Sequence, residues 1–129
     1  MKLENALQEW AKLLGASQVL NSEAAQASYG RCTTGVKRII AGVLRPLIRD
    51  HIAQIIKIAA SFKIPLYPIS TGHNWGYGTA LPVTDNCVIL DLSALKQIID
   101  FDADTGIVTV EPGVTQGQLA EFLEQGGHP

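Results

Sequence analysis

With 129 residues, 47% of them hydrophobic and 17% charged, the chain has the size and make-up of one core-forming domain, which excludes a disordered, collagenous or coiled-coil polypeptide. Lys and Arg number 10 against 12 Asp and Glu, a net charge of -2, so no overall field draws the chain to nucleic acid or anionic lipid. A phosphate ligand would have to be held by local donors.

In chain order, Leu3, Leu7, Trp10 and Leu14, with Ala6 and Leu13 beside them, repeat as an amphipathic helix that Gly15 ends, read as a packing appendage. Asn21 and Ser22 can cap a short helix over EAAQAS, and the Gly and Thr content from Tyr29 to Lys37 predicts a loop. Ile39, Ile40, Val43 and Leu44 predict a strand stopped at Pro46. Between Ile48 and Phe62 the apolar positions Ile48, Ile52, Ile55, Ile56 and Ala59 share one helical face, meant for a sheet. The run IPLYPI follows at residues 64–69, where Pro65 and Pro68 each remove a ladder donor and favour an edge strand. Strand, helix, strand makes a βαβ-type unit with a glycine-rich loop on its second strand.

Cys87 to Leu92 (CVILDL) predicts a buried strand, and Gln97 to Asp102 with Ile107 to Glu111 predict a hairpin around DADTG. Thr115 and Gln118 form a T-x-x-Q capping box for a helix whose apolar face is Leu119, Phe122 and Leu123, ended by Gly126 and Gly127. The chain closes at Pro129, where a further strand would be expected, so the domain reads as incomplete at its C-terminus.

The segment that carries chemistry is Pro68 to Gly78, PISTGHNWGYG. Its glycines let successive backbone N–H groups turn inward, and its short hydroxyl and amide side chains add donors, a nest that binds phosphate without a cation. No Gly-Lys-Ser/Thr follows, as a Walker loop requires, and no periodic helix follows, as a Rossmann turn requires. Composition alone also allows a surface turn with Trp75 and Tyr77 packed inward.

Together, PISTGHNWGYG, CVILDLSALKQIIDFD and VTVEPGVTQGQLAEFL, with RDHIAQIIKIAASFKIPLY ahead of them, resemble the FAD-binding domain of flavin oxidoreductases of the vanillyl-alcohol oxidase and p-cresol methylhydroxylase type. The resemblance covers about Ile39 to the C-terminus. In that family the loop after the second strand wraps the FAD pyrophosphate, which implies cofactor contacts from Ser70, Thr71, Gly72, His73, Asn74, Gly76 and Gly78, with Trp75 and Tyr77 between them. Pro112, Gly113 and Val114 resemble the family segment that lies along the cofactor, where a glycine admits a close backbone approach. His73 stands where berberine-bridge relatives carry a histidine bonded covalently to the flavin and phenol-oxidising relatives usually carry Arg or Lys. A covalent link, which would raise the flavin potential, and a hydrogen bond to phosphate both stay open.

Other features carry less. Asp100, Asp102, Asp104 and Glu111 imitate part of an EF-hand loop, yet Thr105 stands where the sharp turn needs glycine and the flanks alternate like strands, so a hairpin turn is expected. His51 and His128 read as solvated, and Arg31, Lys37, Arg38, Arg45 and Arg49 as a solvated basic face or one meant for another domain. Cys32 and Cys87 fall in no metal or disulfide pattern and read as free thiols. Charges at Glu4, Glu9 and Lys12 exclude a secretory signal and those around Ile52 to Phe62 a membrane span, so a cytoplasmic location is expected.

The fold class expected is therefore α+β: the first subdomain of a PCMH-type FAD-binding domain, a βαβ unit plus hairpin and helix. Residues 1–38 form its helical extension and 39–129 its pyrophosphate-binding half. The resemblance implies an FAD-dependent oxidoreductase that oxidises a small phenol or alcohol by hydride transfer to flavin. It places the substrate domain and catalytic bases beyond this stretch, so no catalytic residue and no metal ligand is assigned. The 129-residue chain alone is expected to be inactive and a weak FAD binder. The alternative is a non-enzymatic module that binds a nucleotide or a partner protein. No nucleic acid or membrane partner is expected, while a homo-oligomer or an electron-accepting partner stays open.

Overall fold

In the computed structural model, which describes residues 2–75 and 78–128, the chain begins with helix α1 (Lys2–Leu14). Its apolar stripe is not an appendage. Ala6 and Trp10 are fully buried, and the Trp10 indole N–H donates to the Ile55 carbonyl at 3.2 Å, so this helix builds one wall of the main core. A single turn of 3-10 helix leads into β1 (Val19–Leu20), too short to be read from sequence. Helix α2 (Ser22–Tyr29) starts as expected at Asn21, whose side chain accepts from the Ala24 N–H at 3.0 Å.

Strand β2 (Ile40–Leu44) is buried along its whole length. A 3-10 turn over Arg49–His51 then precedes α3 (Ile52–Phe62). The helix therefore starts later than its periodicity suggested, because Ile48 is extended at φ -133° and ψ 142°, which an apolar pattern cannot reveal. Ile55 and Ala59 are buried as expected, whereas Ile48 and Ile56 face out, at 50% and 52% exposure. Strand β3 (Leu66–Ile69) follows, and then β4 (Cys87–Asp91).

The sheet order is β1-β2-β4-β3, with β1 antiparallel to β2 and the other pairings parallel. The predicted βαβ unit exists, but its strands are not neighbours: β4, apolar from Cys87 to Leu90, slots between them. Alternate β4 side chains feed two cores, Val88 and Leu90 against α1 and α3, and Ile89 against Ala25 of α2 and the loop residue Leu81. Pro68 sits on the outer strand, where its missing N–H leaves no ladder bond unmade.

Strands β5 (Ile98–Asp102) and β6 (Ile107–Val110) form a separate antiparallel hairpin. The Asp102 carboxylate accepts from the N–H groups of Asp104 and Thr105 at 2.9 and 3.2 Å; bonds from Thr105, with that of the Asp104 amide, hold it below the ordinary carboxylate range. Helix α4 (Gln116–Gln125) lays Phe122 edge-on against Phe101, centroids 6.0 Å apart. His128, expected to be solvated, packs on the same ring at 4.8 Å, because the turn after α4 folds back over it. Nor is the basic stretch simply a solvated face: Arg38 Nε donates to the Pro82 carbonyl at 3.1 Å and Arg45 Nη2 to the Ser17 carbonyl at 2.7 Å. Both cations tie loops to the sheet. Among the described residues no helix is long and apolar enough to cross a membrane.

Candidate functional site

Because β2, β4 and β3 run parallel, their C-terminal ends share one edge, the side on which open α/β sheets bind ligands. Asp91 ends β4 there, opposite Ile69 of β3. Its buried carboxylate accepts from the Tyr29 hydroxyl at 2.5 Å and from the Ser93 N–H at 2.9 Å, closing the turn out of the strand. Burial, then the Asp91 carboxylate, pushes the Tyr29 phenol up to about 12.

The glycine loop leaves this edge directly after Ile69. Gly72 takes the left-handed φ of 73° that a side chain would resist, and reverses the chain. Thr71 Oγ1 accepts from the His73 N–H at 3.4 Å, and the Asn74 amide donates to the Gly78 carbonyl at 3.4 Å, spanning the loop. Trp75 does not plug the core; at 86% exposure it stands out beside the loop. Gly76 and Tyr77 lie outside the described residues.

Facing the loop is the start of α4. The expected capping box is complete: Thr115 Oγ1 accepts from the Gln118 N–H at 3.2 Å, and Gln118 Oε1 from the Thr115 N–H at 3.0 Å. The N–H groups of Gln116 and Gly117, in the first turn, have no intrahelical acceptor. Between them lies an open groove of about 600 Å³ with Ser70, Thr71, His73, Asn74 and Trp75 on one wall and Val114, Thr115, Gln116 and Gly117 on the other. That volume lies within the usual range of small-molecule sites, about 300–1,000 Å³. Its donors are hydroxyls, amides, an imidazole and helix N–H groups, with no Lys or Arg, a set suited to an anion held without side-chain cations. The residues present thus fit a pyrophosphate.

The structure divides the sequence-derived residues. Of the Pro112 to Val114 segment, only Val114 lines the groove; Pro112 is exposed, and Gly113 is buried away from it. A Cβ on Gly113 would lie 2.5 Å from the Leu95 carbonyl oxygen and 2.7 Å from those of Leu92 and Ser93, so the chain's own backbone makes glycine necessary here. Thr115, Gln116 and Gly117 were not foreseen as site residues, although a capping box two positions after Gly113 was the signal for a helix N-terminus at this place. A second groove of about 400 Å³ carries Arg49 and Lys96, but Asp50 and the buried Glu111 line it too. Its cations are offset, and no glycine loop borders it.

A family model described as FAD binding domain matches residues 40–128. The chain is 35% identical over 125 residues to 1'-carboxy-chondrochloren decarboxylase of Chondromyces crocatus, covering 97% of this chain and 23% of that protein. It is 32% identical over 131 residues to the 4-cresol dehydrogenase (hydroxylating) flavoprotein subunit of Pseudomonas putida, covering 99% and 25%. Against the crystal structure of p-cresol methylhydroxylase with substrate bound, the TM-score is 0.90 at 32% identity over 99% of this chain and 25% of that one. The chain spans about a quarter of the length of these relatives.

Proposed function

The chain belongs to the FAD binding domain family, with FAD as its cofactor, and we propose that the groove between the glycine loop and α4 holds the FAD pyrophosphate. The observation that carries this reading is the opposition, across about 600 Å³, of two uncharged donor arrays, the Ser70–Trp75 loop and the Gln116–Gly117 end of the helix. Ser70 and Thr71 hydroxyls and the loop amides would donate from one side, with Gly72 turning the backbone toward the ligand. The Gln116 and Gly117 N–H groups would donate from the other, where the helix dipole adds to the attraction. Gly76, Tyr77 and Gly78 complete the loop in this proposal, and Pro112 and Gly113 support the second wall.

The protein carrying this stretch is proposed to be an FAD-dependent oxidoreductase acting on a small organic substrate, a phenol or alcohol. Resemblance to 4-cresol dehydrogenase and to p-cresol methylhydroxylase supports that substrate class. When bound, the flavin supplies the hydride acceptor; residues 39–129 bind and orient it, and residues 1–38 complete the core and sheet of that unit. In this proposal these residues serve the cofactor, and substrate contacts, catalytic bases and any electron-accepting partner or homo-oligomer are assigned to none of them. Two free thiols support a cytoplasmic location.

The test is a fluorescence titration. Of the two tryptophans, Trp10 is fully buried and Trp75 is 86% exposed, so Trp75 reports on the loop. The reading predicts saturable quenching by FAD, relieved by ADP and hardly at all by AMP, which lacks the pyrophosphate. Equal competition by AMP would refute pyrophosphate recognition.

A further inference from the structure

The matched family region begins at residue 40, yet the irregular segment just before it grips the far end of the glycine loop. Cys32 Sγ lies 3.0 Å from Thr79 Oγ1 and 2.9 Å from Thr34 Oγ1. Arg38 Nε donates to the Pro82 carbonyl at 3.1 Å, and the Ile39 N–H donates to the Asp85 carboxylate at 2.8 Å. Apart from the Cys32–Thr34 contact, which is internal to the segment, these fall on the stretch Thr79–Asp85 that returns from the loop to β4. Thr79 is the focus. Its hydroxyl accepts from the Leu81 N–H at 3.1 Å and its carbonyl accepts from the Tyr67 hydroxyl at 2.9 Å. Leu81, fully buried against Ala25 and Ile89, fixes that end to the core.

We infer that Cys32–Ile39 is a brace that sets the position of the phosphate-binding loop through Thr79, making Thr79 and Cys32 positioning residues for the cofactor. The physical reason is preorganisation. A loop whose amides must converge on a ligand loses affinity if it has to be ordered at the moment of binding, and a brace on Thr79, itself bonded to Tyr67 of β3, removes that cost. At the other end, Leu92 N–H donates to the Ile69 carbonyl at 2.9 Å, so the loop is pinned on both sides with the groove residues between. The hydroxyls of Thr34 and then Thr79 also hold the Cys32 thiol below its ordinary value. The role of the brace in cofactor binding rests on the FAD reading above; the ordering of the loop does not.

The experiment compares Thr79→Val, Thr79→Ser, Cys32→Ala and Cys32→Ser in the 129-residue chain, using Trp75 fluorescence anisotropy decay without ligand and the FAD dissociation constant. Loss of the Thr79 hydroxyl is expected to raise the mobility of Trp75 and weaken FAD about fivefold, the scale of one hydrogen bond, with Thr79→Ser restoring both. Cys32→Ala leaves the Thr79 to Leu81 bond intact and is expected to show the same changes more weakly, with Cys32→Ser restoring them, so the test survives if Thr79→Val does not fold. A lowered thermal midpoint with unchanged Trp75 mobility and unchanged FAD affinity would reduce these contacts to general stability and overturn the brace. If the variants loosen Trp75 while the unaltered chain takes up no FAD, the cofactor reading fails and the brace stands. If FAD binds and all four variants match the unaltered chain, the brace falls and the cofactor reading stands.

Discussion

Gly113→Ala offers a steric test of how the second wall of the groove is built. The added methyl would meet the carbonyl oxygens of Leu95 at 2.5 Å and of Leu92 and Ser93 at 2.7 Å. These are backbone atoms of the turn after β4, so no side chain can swing aside. Gly113 also donates its N–H to the Leu95 carbonyl at 2.7 Å, locking the two segments at this separation. Overpacking of buried sites costs about 1–3 kcal/mol, and an obstacle made of backbone points to the upper end, about 3 kcal/mol. For a domain of this size that corresponds to a fall of about 10 °C in Tm. Because Val114 and the first turn of α4 follow at once, the displacement should also weaken FAD binding. Thermal unfolding followed by circular dichroism, with a parallel FAD titration, reads both. A Tm within about 2 °C of the unaltered chain would refute the packing argument.

Other substitutions separate stability from binding. Gly117→Ala meets only Thr115 Oγ1, at an ordinary 3.9 Å, so it should leave Tm unchanged or raise stability by up to about 1 kcal/mol while narrowing the groove and weakening FAD; unchanged affinity would remove Gly117 from the site. Tyr29 tests the Asp91 contact through pH. Its folded pKa is raised from 10.0 to about 12, so its contribution is fully present below pH 10 and is lost as pH rises toward 12. The rise alone would be worth about 3 kcal/mol, which screening at a partly exposed ring cuts to about 1 kcal/mol. In urea unfolding, Tyr29→Phe should be less stable than the unaltered chain at pH 8, with the gap closing through that window; a gap that persists would contradict the assignment. His73 lines an open wall of the groove, and among the described residues no side chain is bonded to its imidazole to hold it for bond formation. Acid precipitation of the FAD-loaded chain is accordingly expected to leave the flavin in the supernatant, and flavin in the pellet that is lost in His73→Ala would establish a covalent link instead.

Much of this was legible because the signals are local. Asn21 as a cap, the T-x-x-Q box at Thr115, the proline-marked edge at Pro68 and the hairpin turn around Gly106 each depend on a few neighbouring residues. Non-local facts were not legible. An amphipathic stripe says that α1 buries a face, not that Trp10 lies against Ile55. No pattern within β2, α3 and β3 says that β4 will enter between the two strands. The glycine loop was found because its composition is unusual, whereas Gln116 and Gly117 contribute through position alone, at a helix end the fold carries to the loop. Gly113 was noticed as a position that needs glycine, but no local pattern shows the carbonyls of Leu92, Ser93 and Leu95 that it must clear.

The most direct measurement is an amide chemical-shift map of the isotopically labelled chain titrated with FAD and with ADP. The account predicts that shifts converge on Ser70–Trp75 and on Gln116 and Gly117, with ADP reproducing them. The groove beside Arg49 and Lys96 is expected to stay silent. Shifts centred on Arg49 and Lys96, with the glycine loop and the start of α4 unmoved, would contradict it.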